Sequence, residues 1–382
     1  MQFILTGMSV ITFIYLLFLI IEFSIGFRTI KNLSDQSTLS TDFLPFISII
    51  FSARNEESVL STSIKSMLNL NYPHFEVIAV NDRSTDHTSS ILDQYEYHPN
   101  FKTKHIHQLP KGWFGKNYAL HVASQSATGE WLLFTDADIL MKQDLLAKAI
   151  SYTLKNKLDH LTMHEHHIKK SFWLKTILLA NYITYSMTLK PWRIKYSWSK
   201  KSLGHGAFNL IKKSCYLQCG GHQSIAMECL DDLKLGESVK NNGFKQDTVD
   251  GKDFIEREWY HSLPEMITGL KKNSFAYFNY SFFNFFSRFL FGFIFFMLPV
   301  LSIFIFDGLL QWINLINIVF TCLIAFIVAK HFRVQKYFAF FYPIGILLLF
   351  YTVWNSVIAT YKQRGVIWRD THYSLQELRN RL

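Results

Sequence analysis

Acidic residues at four places between positions 56 and 232 could together bind a cation and activate a nucleophile. Two carboxylates that lie close together repel each other unless a cation sits between them. Carboxylate oxygens favour Mg²⁺ or Mn²⁺, and a further carboxylate can act as general base toward a hydroxyl. The pattern therefore predicts an acidic pocket suited to a metal ion and a diphosphate. Its members are Glu56 in SARNEES, Asp82 and Asp86 in NDRSTD, Asp136 and Asp138 in TDAD, and Asp231 and Asp232 in LDDLKLG.

Short apolar runs that precede three of these sites are predicted to be the parallel strands of an α/β sheet. FISIIF at 46–51, FEVIAV at 75–80 and WLLF at 131–134 are nearly continuous, as buried parallel strands are. Segments with helical spacing at 57–68 and 144–154 alternate with these runs, and such alternation indicates βαβ units. Ligands bind outside the carboxyl ends of strands in open sheets, so the acids are expected to converge there.

The turns after the first two strands carry side chains that we expect to contact a ligand. Backbone N–H groups and polar side chains around Ala53, Arg54 and Glu56 can hold a nucleotide, although acids at such a turn can also simply offset a helix dipole. Asp82 at a strand end can accept hydrogen bonds from a base or a ribose. The polar residues that follow it can cap the next helix, and these are Ser84, Thr85 and Asp86.

The two remaining acidic sites suggest metal binding and proton transfer. Asp136 and Asp138 are two residues apart and are expected on the same side of an extended segment, where both can reach one cation. Asp231 and Asp232 open a predicted helix that ends near residues 241–243. A carboxylate there can take a proton from an acceptor hydroxyl, although either Asp could instead cap the helix.

Apolar segments at both ends of the chain are long enough to lie in a membrane. Residues 3–23 are uncharged up to Ile21, over about the length that a bilayer core requires, and the basic residues Arg28 and Lys31 follow soon after. The positive-inside rule then places the N-terminus outside and the following domain in the cytoplasm, as part of a multi-pass protein of the cell membrane. Three further candidates lie at 289–306, 312–329 and 338–359.

The C-terminal tail conflicts with three further full crossings, because these would leave a basic tail outside. A re-entrant or interfacial last segment, helped by Pro343 and Gly345, resolves the conflict and gives a cytoplasmic tail. The aromatic stretch at 274–289 is expected to lie in the interface. The predicted organisation is an anchor at 1–30, a catalytic domain at 43–270, a membrane region at 271–360 and a tail at 361–382.

Composition narrows the class of partner. The chain has a formal net charge of +10, and the basicity is consistent with a cytoplasmic face on anionic lipid. The sequence has no helix-turn-helix, zinc-finger or RNA-binding signature, so we do not expect nucleic acid as a partner.

In their order and strand context, the four acidic sites resemble those of the family 2 glycosyltransferases, which have the GT-A fold. The resemblance implies an α/β, Rossmann-like nucleotide-diphospho-sugar transferase domain between an N-terminal transmembrane helix and C-terminal transmembrane or interfacial helices. It implies that Glu56 and Asp82 contact uridine. It also implies that Asp136 and Asp138 bind Mg²⁺ or Mn²⁺, and that Asp232, next to Asp231, is the base.

Two longer strings, LPKGWFGKNYAL and GHGAFNLIKKSCYLQCGGH, are similar to membrane-bound glycosyltransferases of carotenoid and hopanoid pathways, as is the tail string GVIWRDTHY. By that likeness Lys116 contacts the nucleotide, and Trp113 and His205 border the cleft between donor and acceptor. The expected reaction is an inverting transfer of a single sugar, with glucose as the first candidate, from a UDP-sugar. The expected acceptor is a lipid at the cytoplasmic membrane face, such as a carotenoid acid.

One departure from the family pattern bears on processivity. Processive polysaccharide synthases carry Q-x-x-R-W after the acidic pair, whereas this chain reads FIEREWYHS, with only Arg257 and Trp259 echoing the motif. A single transfer is therefore favoured over a processive synthase. Trp368 and Arg369 either take part of the missing motif's role or anchor the tail at the interface. A pyrophosphate-releasing nucleotidyltransferase and a non-enzymatic membrane scaffold are the competing classes.

Overall fold

The computed structural model describes residues 2–38, 44–168, 171–369 and 371–379, which form two units. The sheet unit comprises residues 30–168 and 191–259, and the helical unit comprises residues 1–29, 169–190 and 260–382. Position 43, where we placed the start of the catalytic domain, and the last three residues of the tail lie outside the described residues.

The helices, in chain order, are α1 (Gln2–Thr29), α2 (Leu60–Leu68), α3 (Thr88–Asp93), α4 (Gly115–Ser126), α5 (Leu145–Lys155), α6 (Phe172–Leu189), α7 (Lys213–Gln218), α8 (Gly221–Ser224), α9 (Asp231–Asn241), α10 (Leu263–Ala276), α11 (Phe282–Gly292), α12 (Leu298–Ser302), α13 (Leu309–His331), α14 (Tyr342–Lys362) and α15 (Leu375–Arg379). The strands are β1 (Lys31–Asn32), β2 (Ile47–Ala53), β3 (Phe75–Asp82), β4 (Phe101–Ile106), β5 (Trp131–Phe134), β6 (Leu140–Met141), β7 (His160–His164), β8 (His166–His167), β9 (Asn209–Lys212), β10 (Gln246–Asp250), β11 (Ile255–Arg257), β12 (Gly365–Trp368) and β13 (Thr371–Ser374).

The sheet unit is built on an eight-stranded sheet in the order β1-β10-β7-β9-β5-β2-β3-β4. Strand β9 is antiparallel to both of its neighbours, and all other neighbouring strands are parallel. A smaller sheet has the order β6-β11-β8. The parallel half, β5-β2-β3-β4, brings the carboxyl ends of three predicted strands to one edge, as the alternation of strands and helices indicated.

Helices cover both faces of the large sheet because successive side chains of a buried strand point to opposite faces. On β2, Ile49 and Phe51 pack in one apolar cluster with residues of α2, α3 and α5. Ile50, between them, packs in a second cluster with residues of α4, α7 and α9. The α/β architecture predicted from the sequence is confirmed.

Within its described residues, the helical unit contains four helical segments that are long and apolar enough to cross a membrane: Phe3–Thr29, Phe282–Ser302, Leu309–His331 and Lys336–Lys362. The second is interrupted by a π-helical turn, Phe293–Met297, between α11 and α12. The aromatic stretch at 274–289, which we expect in the interface, is not one continuous helix. The chain breaks between α10 and α11, where Asn279 and Tyr280 have positive φ, and α11 is already the start of a candidate span.

Helices α1 and α13 run side by side in the same direction. The Asn317 side chain donates to the Ser9 carbonyl near one end, with Nδ2 and O 3.0 Å apart. Near the other end, the Phe27 and His331 rings stack with centroids 4.1 Å apart. The predicted catalytic segment 43–270 is not continuous in space, since α6 packs against α14 and belongs to the helical unit.

Candidate active site

Asp82, the last residue of β3, carries its carboxylate among two arginines and the start of a helix. Its Oδ1 lies 2.7 Å from Arg83 Nε, and its Oδ2 lies 4.0 Å from Arg54 Nη1. A Cβ on Gly115, the first residue of α4, would lie 2.3 Å from Asp82 Oδ2. Glycine at 115 therefore makes room for this carboxylate beside the start of α4.

The turns after β2 and β3 are fastened to each other by hydrogen bonds. The backbone N–H of Glu56 donates to Thr88 Oγ1 at 2.8 Å, and the N–H of Glu57 donates to Asp86 Oδ2 at 3.2 Å. Asp86 also accepts a hydrogen bond from the N–H of Thr88, the first residue of α3, from one position before the N-cap residue His87. Ala53 ends β2 and is buried directly before this pair of turns.

Lys116, the second residue of α4, joins two of the predicted acidic sites. Its Nζ lies 2.9 Å from Asp136 Oδ1 and 3.0 Å from Asp231 Oδ2. Burial alone would lower the pKa of Lys116, but the Asp136 and Asp231 carboxylates raise it, so the side chain is charged. Burial opposes the charge of Asp136 as well, yet Lys116 and Arg257 together hold the pKa of Asp136 below its usual range.

Arg257 bridges the two carboxylates of the TDAD sequence. Its Nη1 lies 2.9 Å from Asp136 Oδ2 and its Nε lies 2.9 Å from Asp138 Oδ2. Arg257 ends β11, where it pairs with His167 of β8. Sequence reasoning noted Arg257 only as an echo of another motif. Its spacing from the TDAD acids, more than 100 residues, gave no signal of this contact.

The local geometry of the TDAD sequence differs from the prediction. We expected Asp136 and Asp138 on one side of an extended segment, but β5 ends at Phe134, and Ala137 and Asp138 form a turn. The two carboxylates still converge, because Arg257 reaches both. Convergence here comes from the turn and from a residue on β11 rather than from strand alternation.

The two acids at the start of α9 have different surroundings. Asp231 is buried against Lys116, and burial raises the pKa of Asp231 to about 6 in spite of the lysine. Asp232 instead accepts a hydrogen bond from the backbone N–H of Gly206, with N and Oδ2 2.8 Å apart. A Cβ on Gly206 would lie 2.7 Å from Asp136 Oδ2, so a larger residue would collide with Asp136 where this loop passes between Asp136 and Asp232.

Asp231 and Asp232 border a small cavity that extends to the end of β5 and to Thr135. Its lining includes Lys116, Thr135, Gly206, Asn209, Asp231 and Asp232. The predicted catalytic pair and the predicted nucleotide-binding lysine thus share one cavity in the sheet unit, and ion pairs of Lys116 and Arg257 connect them to the TDAD acids. Asp82 lies beside Gly115, the residue before Lys116, and so adjoins the same region.

Other predicted site residues have contacts of a different kind. Trp113 is half-buried against two side chains of α4, Tyr118 and His121, with ring centroids 5.4 and 4.9 Å apart. His205 lies 3.0 Å from Glu165, measured from Nδ1 to Oε2. Trp368 ends β12 in the helical unit, where the Lys272 ammonium lies over its ring. Arg369, which follows it, has a positive φ of 42°.

The residues of the TDAD sequence suit a divalent cation. Asp138 Oδ1 is buried, and no hydrogen bond from the described residues reaches it. Burial raises the pKa of Asp138, against the effect of Arg257. A cation bound there would relieve both conditions, and carboxylate oxygens are the ligands that Mg²⁺ and Mn²⁺ prefer. In the present structure the Arg257 guanidinium supplies positive charge at this position.

A family model described as Glycosyl transferase family 2 matches residues 48–216, which include β2 through α7 and the TDAD acids. Over these 169 of its 382 residues, the chain matches the family 2 glycosyltransferases. Among solved structures, the chain is similar to the mannosyltransferase PcManGT from Pyrobaculum calidifontis. The TM-score is 0.51 at 17% identity, with 94% of this chain and 98% of that chain covered. At that identity the likeness concerns the fold.

Curated relatives of this glycosyltransferase domain include lipid-modifying and polymer-forming proteins. A beta-monoglucosyldiacylglycerol synthase from a Nostoc species is 28% identical, over 50% of this chain and 40% of the relative. A 4,4'-diaponeurosporenoate glycosyltransferase from Staphylococcus haemolyticus is 25% identical, over 59% and 60%. A poly-beta-1,6-N-acetyl-D-glucosamine synthase from Staphylococcus epidermidis is 28% identical, over 46% and 41%. The chain thus spans about 40 to 60% of the length of these relatives.

Proposed function

We propose that this protein transfers one sugar from a UDP-sugar, with glucose as the first candidate, to a lipid acceptor with inversion at the sugar carbon. The observation that carries the proposal is the convergence of Lys116, Arg257 and the acids of the TDAD and LDD sequences in one largely buried cluster. The family 2 domain supports the reaction type. Two relatives whose names refer to diacylglycerol and diaponeurosporenoate, together with the apolar helices, support a lipid acceptor.

In this proposal the nucleotide lies along the carboxyl ends of β2 and β3. Asp82 and Glu56 would accept hydrogen bonds from uridine, with Ala53 and Arg54 at its edge. The diphosphate would lie near Lys116, whose positive charge is secured by two carboxylates. Binding of a diphosphate there exchanges one set of charge pairs for another, so the lysine need not be desolvated without a partner.

Asp136 and Asp138 are the proposed ligands of Mg²⁺ or Mn²⁺. When bound, the ion would supply Lewis-acid stabilisation of the charge that develops on the departing diphosphate. Its entry requires Arg257 to give up at least one of its two carboxylates. Arg257 then becomes available as a second cation for the phosphates, and guanidinium groups suit phosphate oxygens. A structural neighbour with GDP-Man and Mn²⁺ bound is consistent with this use of the site.

Asp232 is the proposed general base. Its carboxylate is oriented by the backbone N–H groups of Gly206 and Leu233, so it can be held toward an acceptor without using Lys116. Asp231 is the weaker candidate, because it is already paired with Lys116. A carboxylate acceptor, such as a carotenoid acid, is a nucleophile at neutral pH and would not need Asp232 for proton removal.

The proposed topology places the glycosyltransferase domain in the cytoplasm. In this topology both ends of α14 lie on the side of the membrane where α11 begins. The link from α13 to α14 has ten residues, six of them in the 3₁₀ helix Lys336–Phe341, with a rise of about 2 Å per residue. Such a link is too short to cross a hydrocarbon core of about 30 Å.

The far end of α14 lies beside the start of α11. The Tyr361 and Phe275 rings are 5.7 Å apart, and Arg379 donates to the carbonyl of Tyr280, just before α11. Since α11–α12 and α13 are consecutive spans, the start of α11 and the end of α13 share one side. We therefore place α14 as a non-crossing helix and the tail in the cytoplasm, the arrangement that resolves the charge conflict. Contacts of Trp368 and Arg369 with an acceptor stay predictions.

The experiment is to incubate the purified full chain in detergent with UDP-glucose, Mn²⁺ and lipid acceptors, and to weigh the product by mass spectrometry. One hexose per lipid supports the proposal. A ladder of many hexoses would replace it with a processive synthase, the alternative suggested by the polysaccharide synthase relative. Release of pyrophosphate instead of UDP would indicate a nucleotidyltransferase. If no UDP-sugar leads to release of UDP, the assignment of a uridine-containing donor is wrong.

A further inference from the structure

Two histidines and a glutamate form a cluster that the proposed sugar transfer does not use. Ligand atoms of His164, Glu165 and His205 all lie within 4.8 Å of one another. His164 and Glu165 are buried, and the His205 side chain is 20% exposed. The two imidazole rings lie edge to face, with centroids 4.7 Å apart. The cluster belongs entirely to the sheet unit.

A break in a strand brings these side chains together. Strand β7 ends at His164 and β8 begins at His166, so Glu165 lies between two strands and escapes their regular alternation. Consecutive residues of a continuous strand would point to opposite faces. His205 comes from the loop before β9, which pairs with β7. The sheet therefore holds the loop and the strand break at a fixed separation.

The contact between Glu165 and His205 lacks the geometry of a hydrogen bond. Glu165 Oε2 and His205 Nδ1 are 3.0 Å apart, yet no hydrogen bond from the described residues reaches either atom, and both are buried. The in-plane direction of Nδ1 therefore does not point at Oε2, and neither atom is satisfied by the other. A cation bound to both atoms would satisfy them together.

The other carboxylate oxygen of Glu165 is already oriented. His167 Nε2 lies 2.7 Å from Glu165 Oε1, and the His167 side chain is 9% exposed. Carboxylates that bind metals are themselves held by hydrogen bonds in general, and here a third histidine supplies one. Oε1 is thus committed to His167, and Oε2 is directed at His205.

We propose that His164, Glu165 and His205 bind a divalent transition-metal ion of the Zn²⁺ type, at a site separate from Asp136 and Asp138. Two imidazoles and one carboxylate suit such an ion, whereas the all-carboxylate pair suits Mg²⁺ or Mn²⁺. Ligand atoms about 2.1 Å from a tetrahedral ion are about 3.4 Å from each other, which small side-chain movements would reach here. A water molecule would complete the coordination.

The proposed ion would fix the loop that orients the candidate base. His205 precedes Gly206, whose N–H holds Asp232. An ion that ties His205 to the end of β7 thereby restricts this loop. The inference rests on the cluster and is independent of the proposed sugar transfer, so it can hold if that proposal fails.

The test is binding of Zn²⁺ and Co²⁺ to the full chain in detergent, stripped of metal and carrying Asp138→Asn so that the other candidate site is weakened. We expect one equivalent of Zn²⁺ by elemental analysis, a visible Co²⁺ absorption typical of four-coordinate sites, and a higher Tm with Zn²⁺. Absence of bound metal would overturn the proposal and leave Glu165 with His167 and His205 as its partners at this cluster.

Variants locate the ion. The double variant His164→Ala/His205→Ala should lose the equivalent of Zn²⁺ and the Co²⁺ absorption, whereas His107→Ala, at an exposed position, should keep both. His167→Asn should keep the site but lower its affinity for Zn²⁺ about 10- to 100-fold, as loss of a side chain that orients a metal ligand does. Unchanged Zn²⁺ binding in the double variant would contradict the assignment. A His205→Cys variant, which restores a ligand, guards against loss of folding.

Discussion

Two regions of the candidate site are held together by different kinds of contact. We call the turns after β2 and β3, where the nucleotide is proposed to bind, the nucleotide end, and the ion pairs around Asp136 the centre. At the nucleotide end, two adjacent turns are joined by backbone hydrogen bonds to Thr88 and Asp86. At the centre, side chains far apart in sequence are joined by ion pairs, as Lys116 and Arg257 are to Asp136. The first region is fixed by its backbone. The second depends on a balance of buried charges, which a substrate or a metal can alter.

This contrast predicts different consequences of mutation. A change at the centre should affect catalysis and pH dependence, because it leaves buried charges without partners. A change at the nucleotide end should affect mainly donor binding, because the turns persist. The predictions below run from the largest expected effect to the smallest.

The largest effect is expected for the candidate base. With a hydroxyl acceptor, Asp232→Asn should lower kcat by about 10²- to 10⁴-fold, since the amide cannot accept the proton. The rate of UDP release measures this loss. With a carboxylate acceptor the loss should be small, so the same variant also distinguishes acceptors. A mild effect with a hydroxyl acceptor would transfer the role of base away from Asp232.

The second-largest effect is expected when the ammonium group that Asp136 and Asp231 share, that of Lys116, is removed. Lys116→Met leaves the buried Asp231 without its ion-pair partner and the half-buried Asp136 with Arg257 alone, and loss of one member of a buried pair typically costs about 3–5 kcal/mol. We expect a clear fall in Tm by differential scanning fluorimetry, with much weaker binding of UDP. Lys234→Met is the control, because its partner Glu237 is largely exposed and such pairs contribute about 0.5 kcal/mol or less. Equal falls in Tm would show that Lys116 has no special role.

The carboxyl of Asp231 should make stability depend on pH. Its pKa is about 6 in the folded protein, above the ordinary value of 3.8, so folding favours the protonated form. The free energy of unfolding should therefore fall as pH rises from about 4 to 6, by on the order of 1–3 kcal/mol for this group. Asp231→Asn lacks this loss, so its Tm relative to wild type should increase over that range. A constant difference in Tm would contradict the assigned pKa.

The smallest effect is expected at the nucleotide end. Gly115→Ala would put a Cβ 2.3 Å from Asp82 Oδ2, so the carboxylate must move. We expect KM for the UDP-sugar to rise about tenfold, the equivalent of about 1.4 kcal/mol, with little change in kcat. Gly7→Ala, whose Cβ would have nothing within 4 Å, is the matched control. A fall in kcat at unchanged KM would place Asp82 in the chemical step instead.

The same contrast explains what the sequence could predict. Strand β5, the start of α9 at Asp231 and the capping by Asp86 follow from local patterns of apolar residues and short polar side chains. The role of Arg257 does not, because its partners Asp136 and Asp138 are about 120 positions away and only the pairing of β11 with β6 and β8 brings them together. The cluster at Glu165 likewise depends on the break between β7 and β8, which the pattern of apolar residues in the sequence does not predict.

The helical unit is a second case in which local patterns were sufficient only in part. Apolar length predicted all four candidate spans, but their ends were displaced by up to about seven residues. The packing of α6 with α14 was not predicted, because an apolar run of 18 residues fits a buried helix as well as a membrane helix.

The central claim is that Asp138, at the centre of the buried charge cluster, is required for transfer from a UDP-sugar. The most direct test measures UDP release from UDP-glucose with Mn²⁺ and lipid by the wild type, Asp138→Asn and the exposed control Asp144→Asn. We predict lipid-dependent release that Asp138→Asn lowers at least about 10²-fold and Asp144→Asn leaves unchanged. Release by Asp138→Asn at the rate of the wild type would contradict the claim.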